Sequence, residues 1–245
     1  MTTIAQRLAA VRKRISDAER LHGRPAGSVR LLAVSKTRQA DELRQTLAQG
    51  QTAFGENYLQ EARQKQDALH GAGIEWHFIG PLQANKTNPV ATYFDWVHSV
   101  DRLKLATRLN AQRPANLPPL NVCLQVNISR EPTKAGLAAE HAAELADAIG
   151  GLDRLRLRGL MCIPAPAESE SARRAPFRAL KELQDQLIAS GHDLDTLSMG
   201  MSGDLEAAIA EGATLVRVGT DIFGSRTPAS AGGNESPELG SSRHG

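Results

Sequence analysis

The chain has 245 residues, a formal net charge of +2 and 4% aromatic side chains. That length suffices for one large core, while the near-balanced charge and scarce aromatics offer neither an electrostatic footprint nor stacking platforms for a nucleic acid. No apolar run reaches membrane-spanning length, and Thr3-Ile4-Ala5-Gln6-Arg7-Leu8 reads as the start of an amphipathic helix instead of a secretory signal, which points to the cytoplasm.

In chain order, Ile4, Leu8, Val11, Ile15 and Ala18 recur at helical spacing and predict a helix over residues 4–22 that stops at Gly23. Eight strand-like apolar runs follow, near 31–35, 53–54, 76–79, 96–99, 122–127, 157–161, 196–198 and 215–218. Helical segments alternate with them around 41–49, 58–69, 85–93, 102–112, 138–149, 177–190 and 204–211. This alternation predicts a parallel α/β fold, and the count of eight favours a single closed (β/α)8 barrel of the TIM type with an extra N-terminal helix. Residues 113–119 and 164–174 are turn-rich connections, the second a candidate mobile loop over the site. Residues 227–245, rich in Ser, Gly, Pro and Glu, predict a disordered tail behind a domain of residues 1–226.

In such a barrel the functional face lies where the strands end, so Lys36, Asn57, Gly80, Ser99, Ser129, Pro164, Met199 and Gly219 should approach one another. Val29-Arg30-Leu31-Leu32-Ala33-Val34-Ser35-Lys36 delivers a lysine to that face. A partly desolvated strand-end lysine frees the neutral amine needed to trap an aldehyde as a Schiff base. Two anion-binding turns join it. Leu197-Ser198-Met199-Gly200-Met201-Ser202-Gly203-Asp204 runs from a short strand into a helix start, where uncommitted N–H groups favour a phosphate and Ser202 either caps the helix or bonds the ligand. Gly219-Thr220 supplies a second cluster of donors after the last strand. Arg217 interrupts the apolar run Leu215-Val216-Arg217-Val218, where an unpaired charge is costly, so it needs a partner at the barrel mouth or a carboxylate on a neighbouring strand. Cys123 and Cys162 lie in apolar runs and read as buried thiols, and the scattered histidines suggest no metal site.

Ala33-Val34-Ser35-Lys36, Phe54-Gly55-Glu56-Asn57-Tyr58, Trp76-His77-Phe78-Ile79-Gly80-Pro81, Ser198-Met199-Gly200-Met201-Ser202 and Arg217-Val218-Gly219-Thr220-Asp221 resemble, in this order, the pyridoxal phosphate homeostasis proteins. The resemblance extends from Val29 to Arg226. It implies a barrel akin to the N-terminal domain of alanine racemases, with pyridoxal 5'-phosphate (PLP) held as a Schiff base on Lys36. It further implies Ser202, Gly219 and Thr220 around the phosphate, Ser198 and Met199 along the wall beside it, Asn57 and His77 near the ring and its hydroxyl, and Arg217 facing the pyridine nitrogen. Asn57 serves equally as the cap of a helix beginning at Tyr58, and His77 as a core histidine behind Trp76. Arginine donates a hydrogen bond to the ring nitrogen without protonating it, which leaves the ring a poor electron sink.

By the same resemblance the chain serves vitamin B6 homeostasis without catalysis, PLP-dependent apoenzymes being the candidate partners beside PLP itself. Racemases and decarboxylases of this barrel group carry a second, mostly β domain that supplies another acid/base residue, whereas only the tail is expected after Arg226. A minimal racemase or decarboxylase is the alternative, and a monomer the expected state.

Overall fold

The computed structural model describes residues 2–131 and 134–225, so the tail expected from residue 227 lies outside the described residues. Strands β1 (Arg30–Val34), β2 (Ala53–Glu56), β3 (Glu75–Phe78), β4 (Trp96–Val100), β5 (Leu120–Gln125), β6 (Leu155–Met161), β7 (Thr196–Ser198) and β8 (Leu215–Val218) pair in chain order, and β8 returns to β1 to close the barrel. All the pairings are parallel. Helices α1 (Ile4–Leu21), α2 (Ala40–Leu47), α3 (Leu59–Ala68), α4 (Thr87–Tyr93), α5 (Leu103–Gln112), α6 (Ala142–Gly150), α7 (Glu170–Ala189), α8 (Leu205–Ala210) and α9 (Thr220–Phe223) alternate with the strands. This is the (β/α)8 barrel the alternation predicts. Among the described residues no helix is long and apolar enough to cross a membrane.

Period-two alternation sorts each strand between two environments. Outward residues such as Ala33, Phe54, Val97, Val122, Leu160 and Val216 share one continuous core with the apolar stripes of the helices. Leu32, Ala53, Ile79 and Leu215 form one apolar cluster of the interior, with Val34 packed on it, and Trp96, Cys123 and Met161 form another. Each fully buried Leu or Phe of these layers contributes about 1.5–3 kcal/mol.

Helix α1 starts in a capping box, Thr3 with Gln6, and buries Ile4, Leu8, Val11, Ile15 and Ala18 against the barrel. Near its end the buried Glu19 accepts from the backbone N–H groups of Gly27 and Val29, which fixes the entry into β1.

One connection differs from expectation. The loop predicted over 164–174 is helical from Glu170, because Ser169 caps the helix through the Ala172 N–H and Pro176 is accommodated inside α7. A proline there removes one backbone donor, and the buried Phe177, Leu180, Gln184 and Leu187 stripe of a 20-residue helix outweighs that loss.

Candidate functional site

Lys36 stands half-buried just past β1. Val34 faces the interior, so Ser35 turns outward and Lys36 returns to the mouth. Ser35 to Arg38 form a tight turn closed by Arg38 N–H to Ser35 O at 3.0 Å, with Thr37 at a φ of 64°. A β-branched residue avoids that region, so surrounding bonds must hold it. They come from behind the sheet. Ser35 Oγ donates to Glu56 Oε1 at 2.6 Å, Lys65 Nζ donates to the same oxygen and to Ser35 O, each at 2.6 Å, and Thr37 N–H donates to Glu61 Oε2 at 2.8 Å. Glu56 and Lys65 are both buried, and burial raises the Glu56 carboxyl above its ordinary range against the pull of Lys65. Neither Lys65 nor this use of Glu56 was visible in the sequence, where α3 reads as a polar helix face.

The two turns expected to bind an anion follow β7 and β8, on the side of β1 opposite β2. The Ser198–Ser202 turn folds back on α8 through Gly200, whose φ is 91° and where a Cβ would stand 2.5 Å from that of Ala208. The cap of α8 is Asp204 and not Ser202; its Oδ1 accepts from the Met201 N–H. The N–H groups of Ser202, Gly203, Gly219 and Thr220 meet no acceptor among the described residues. Arg14 of α1 binds both turns from behind, through Ser202 O at 2.9 Å, Glu206 Oε1 at 2.7 Å and Asp221 Oδ2 at 2.6 Å. Nothing in the α1 pattern distinguishes Arg14 from a solvated face residue.

Arg217 pairs in register with Leu32 and so stands deeper in the barrel than Lys36. Among the described residues it has no carboxylate partner. Nη1 donates to Ser198 O at 2.5 Å and Ser198 Oγ at 2.9 Å, and Nη2 donates to Cys162 O at 2.9 Å. Behind Ser198 lie two fully buried histidines: His98 Nδ1 is 2.8 Å from Ser198 Oγ, and His98 Nε2 is 2.9 Å from His77 Nδ1. Since β4 and β7 are not neighbours, the His98–Ser198 contact crosses the interior.

Three expected ring and phosphate neighbours are thus placed differently. His77 does not reach the mouth: its second nitrogen is 2.5 Å from Glu75 Oε1, its ring stacks on Trp96, and it has no exposed surface. The Ser198 hydroxyl is committed to His98 and Arg217, and the Met199 side chain is buried in the core outside the barrel, which leaves only its backbone for a ligand. Asn57, by contrast, caps no helix: α3 begins at Leu59 with Tyr58 in the cap position and no side-chain cap, and Asn57 Oδ1 is buried without a partner among the described residues, as is Ser99 Oγ on β4. Gly80 makes this possible, because a Cβ there would lie 2.2 Å from Asn57 O.

These features fit an anionic, aldehyde-bearing aromatic cofactor: an amine on a fixed turn, free N–H groups on two neighbouring turns, orphaned polar atoms at strand ends and a guanidinium with donors to spare. The model of the alanine racemase N-terminal domain family matches residues 6–227. The pyridoxal phosphate homeostasis protein of Pseudomonas aeruginosa is 57% identical over 226 residues, spanning 92% of this chain and 97% of that one. The structure of PipY from Synechococcus elongatus with PLP bound superposes with a TM-score of 0.79 at 36% identity, over 91% of this chain and 100% of PipY. The alanine racemase of Corynebacterium glutamicum, at 15% identity, shares the fold with a TM-score of 0.65 over 91% of this chain and 63% of the enzyme. The chain belongs to the alanine racemase N-terminal domain family and, within it, to the pyridoxal phosphate homeostasis proteins.

Proposed function

We propose that this chain binds PLP at the barrel mouth and serves cytoplasmic PLP homeostasis as a monomeric, non-catalytic holder of the cofactor that releases it to apoenzymes. The observation that carries this reading is that Lys36 follows β1 and the free N–H groups of Gly219 and Thr220 follow the neighbouring β8, above a guanidinium with unspent donors. Bound PLP supplies an aldehyde, and capture by the Lys36 amine forms a C=N bond with loss of one water. Ser202, Gly203, Gly219 and Thr220 offer backbone donors to the phosphate. Asn57 Oδ1 accepts from the ring hydroxyl, and Arg217 donates to the ring nitrogen.

Arg217 disfavours aminotransferase-type chemistry, which needs a protonated ring, since a guanidinium does not give its proton to the ring; it does not bear on racemisation. The two histidines of the interior are spent on each other, on Glu75 and on Ser198, so neither offers an acid or base at the mouth. The test is a visible absorbance spectrum of PLP-loaded protein before and after borohydride, followed by peptide mapping. The expected label is on Lys36; a label on Lys86, Lys134 or another lysine with Lys36 free overturns the site. Multiple turnover of L- or D-amino acids that disappears in Lys36→Ala overturns the non-catalytic reading.

A further inference from the structure

The hydrogen bonds behind Arg217 have one direction. A carboxylate only accepts, so His77 Nε2, 2.5 Å from Glu75 Oε1, carries the proton between them. Neutral His77 then presents a bare Nδ1, and His98 Nε2, at 2.9 Å, is the donor to it. Neutral His98 in turn presents a bare Nδ1, into which the Ser198 hydroxyl donates at 2.8 Å. With its proton directed there, Ser198 Oγ has only lone pairs left for Arg217 Nη1, 2.9 Å away. Burial lowers both histidines below the ordinary 6.5, His77 against the pull of Glu75 and His98 with added repulsion from His77, Arg217 and Arg30, which keeps both rings neutral.

We propose that His98 is a positioning residue for Arg217: by taking the Ser198 proton at Nδ1 it makes Ser198 Oγ an acceptor, which with the Ser198 and Cys162 carbonyls occupies three guanidinium N–H groups and leaves Nε–H and one Nη2–H for the ring nitrogen of the cofactor. The inference rests on the PLP reading above. Without an acceptor at position 98 the Ser198 side chain loses the bond that fixes its rotamer, and the Oγ contact that sets the plane of Arg217 is released. The chain ends at Glu75, which Arg30 Nη2 also holds at 2.6 Å, so its polarity is anchored at the opposite end of the barrel.

The test compares dissociation constants of PLP and of 1-deazapyridoxal 5'-phosphate, in which CH replaces the ring nitrogen. The parent protein should favour PLP by roughly tenfold to a hundredfold, the range for one hydrogen bond to a charged donor. His98→Leu should bring that ratio close to one. His98→Asn, whose Oδ1 stands near the place of Nδ1, should keep most of it, and Ser198→Ala should lose it with His98 intact. A merely structural role for His98 would weaken both compounds equally and leave the ratio unchanged. Folded His98→Leu or Ser198→Ala with the parental ratio overturns the inference alone; should His98→Leu not fold, Ser198→Ala and His98→Asn decide it. A parent protein that binds neither compound overturns the PLP reading and the inference with it.

Discussion

Arg14 Nη1 on the first helix lies 2.6 Å from Asp221 Oδ2 beside the last turn, while the same guanidinium bonds Ser202 O and Glu206. One side chain therefore sets the spacing of the two turns whose N–H groups remain free. This gives α1 a part in the site beyond covering the barrel. Exposed ion pairs contribute about 0.2–1 kcal/mol each, so Arg14→Met should cost little stability. It should weaken PLP binding about threefold to tenfold, by loss of one or two such contacts to the turns, and leave pyridoxal, which has no phosphate, unaffected. Equal weakening of both ligands, measured by equilibrium dialysis, would show that Arg14 does not act on the phosphate turns.

The Glu56–Lys65 pair makes a sharper demand. Both groups are buried, so Lys65→Met leaves an uncompensated carboxylate and should destabilise the fold by about 3–5 kcal/mol. Glu56→Gln combined with Lys65→Met removes both charges and should recover much of that loss. Because Lys65 also holds Ser35 O, the double variant should fold yet form its imine on Lys36 more slowly than the parent. Urea midpoints and the rate of absorbance change on adding PLP read the two effects apart; additive stability losses would contradict the pairing.

The strands and their order are legible in the sequence because each buried run is short, apolar and bounded by turn residues, the pattern of a parallel sheet covered on both faces. Lys36 and the Gly219-Thr220 turn are legible because strand ends converge in a barrel. What stands behind them is not. Arg14 and Lys65 occupy polar helix faces where nothing local reports a tertiary partner, and His77 keeps the same one-letter context whether it points to a ligand or to another histidine. A signal for His98 does exist: in Trp96-Val97-His98 the imidazole shares the inward face with Trp96, which places a polar ring among apolar interior residues that must find it a partner. Arg217 needed a partner, as its burial requires, but carbonyls and a hydroxyl supply it where a carboxylate was the alternative.

Stability should be highest between mildly acidic and mildly alkaline pH. Burial holds His77 and His98 below 6.5, so as pH falls beneath that value the unfolded chain takes up their protons first and stability drops. Burial opposes the charge of Glu75, yet the hydrogen bonds and charges of His77 and Arg30 lower it from 4.5 to about 2; its contribution is complete above 4.5 and is lost as pH falls toward about 2. On the alkaline side, burial raises Cys123 and Cys162 from 9.0 to about 12, so their contribution is complete below 9.0 and is lost as pH rises toward about 12. Urea titrations across pH should show both limbs, and Cys123→Ala with Cys162→Ala should flatten the alkaline one. An alkaline limb unchanged in that variant assigns it to other groups.

Covalent and electrostatic holding of PLP are separable. Lys36→Ala removes the amine but leaves the N–H groups of Ser202, Gly203, Gly219 and Thr220, so residual, non-covalent PLP binding is expected. Ser202→Asp and Thr220→Asp keep the amine and set a carboxylate against the phosphate, a like-charge contact in a partly desolvated site. Thr220 opens α9, where an acidic residue is favourable to the helix itself, so that variant should fold as the parent does. Each protein is loaded with PLP and dialysed, and retained PLP is measured beside the circular dichroism spectrum. Lys36→Ala should lose the imine band and keep a fraction of the cofactor, whereas the two aspartate variants should lose retention although their lysine can still react. If folded Ser202→Asp and Thr220→Asp both retain PLP as the parent does, the phosphate lies elsewhere and the two turns do not converge on Lys36 as proposed.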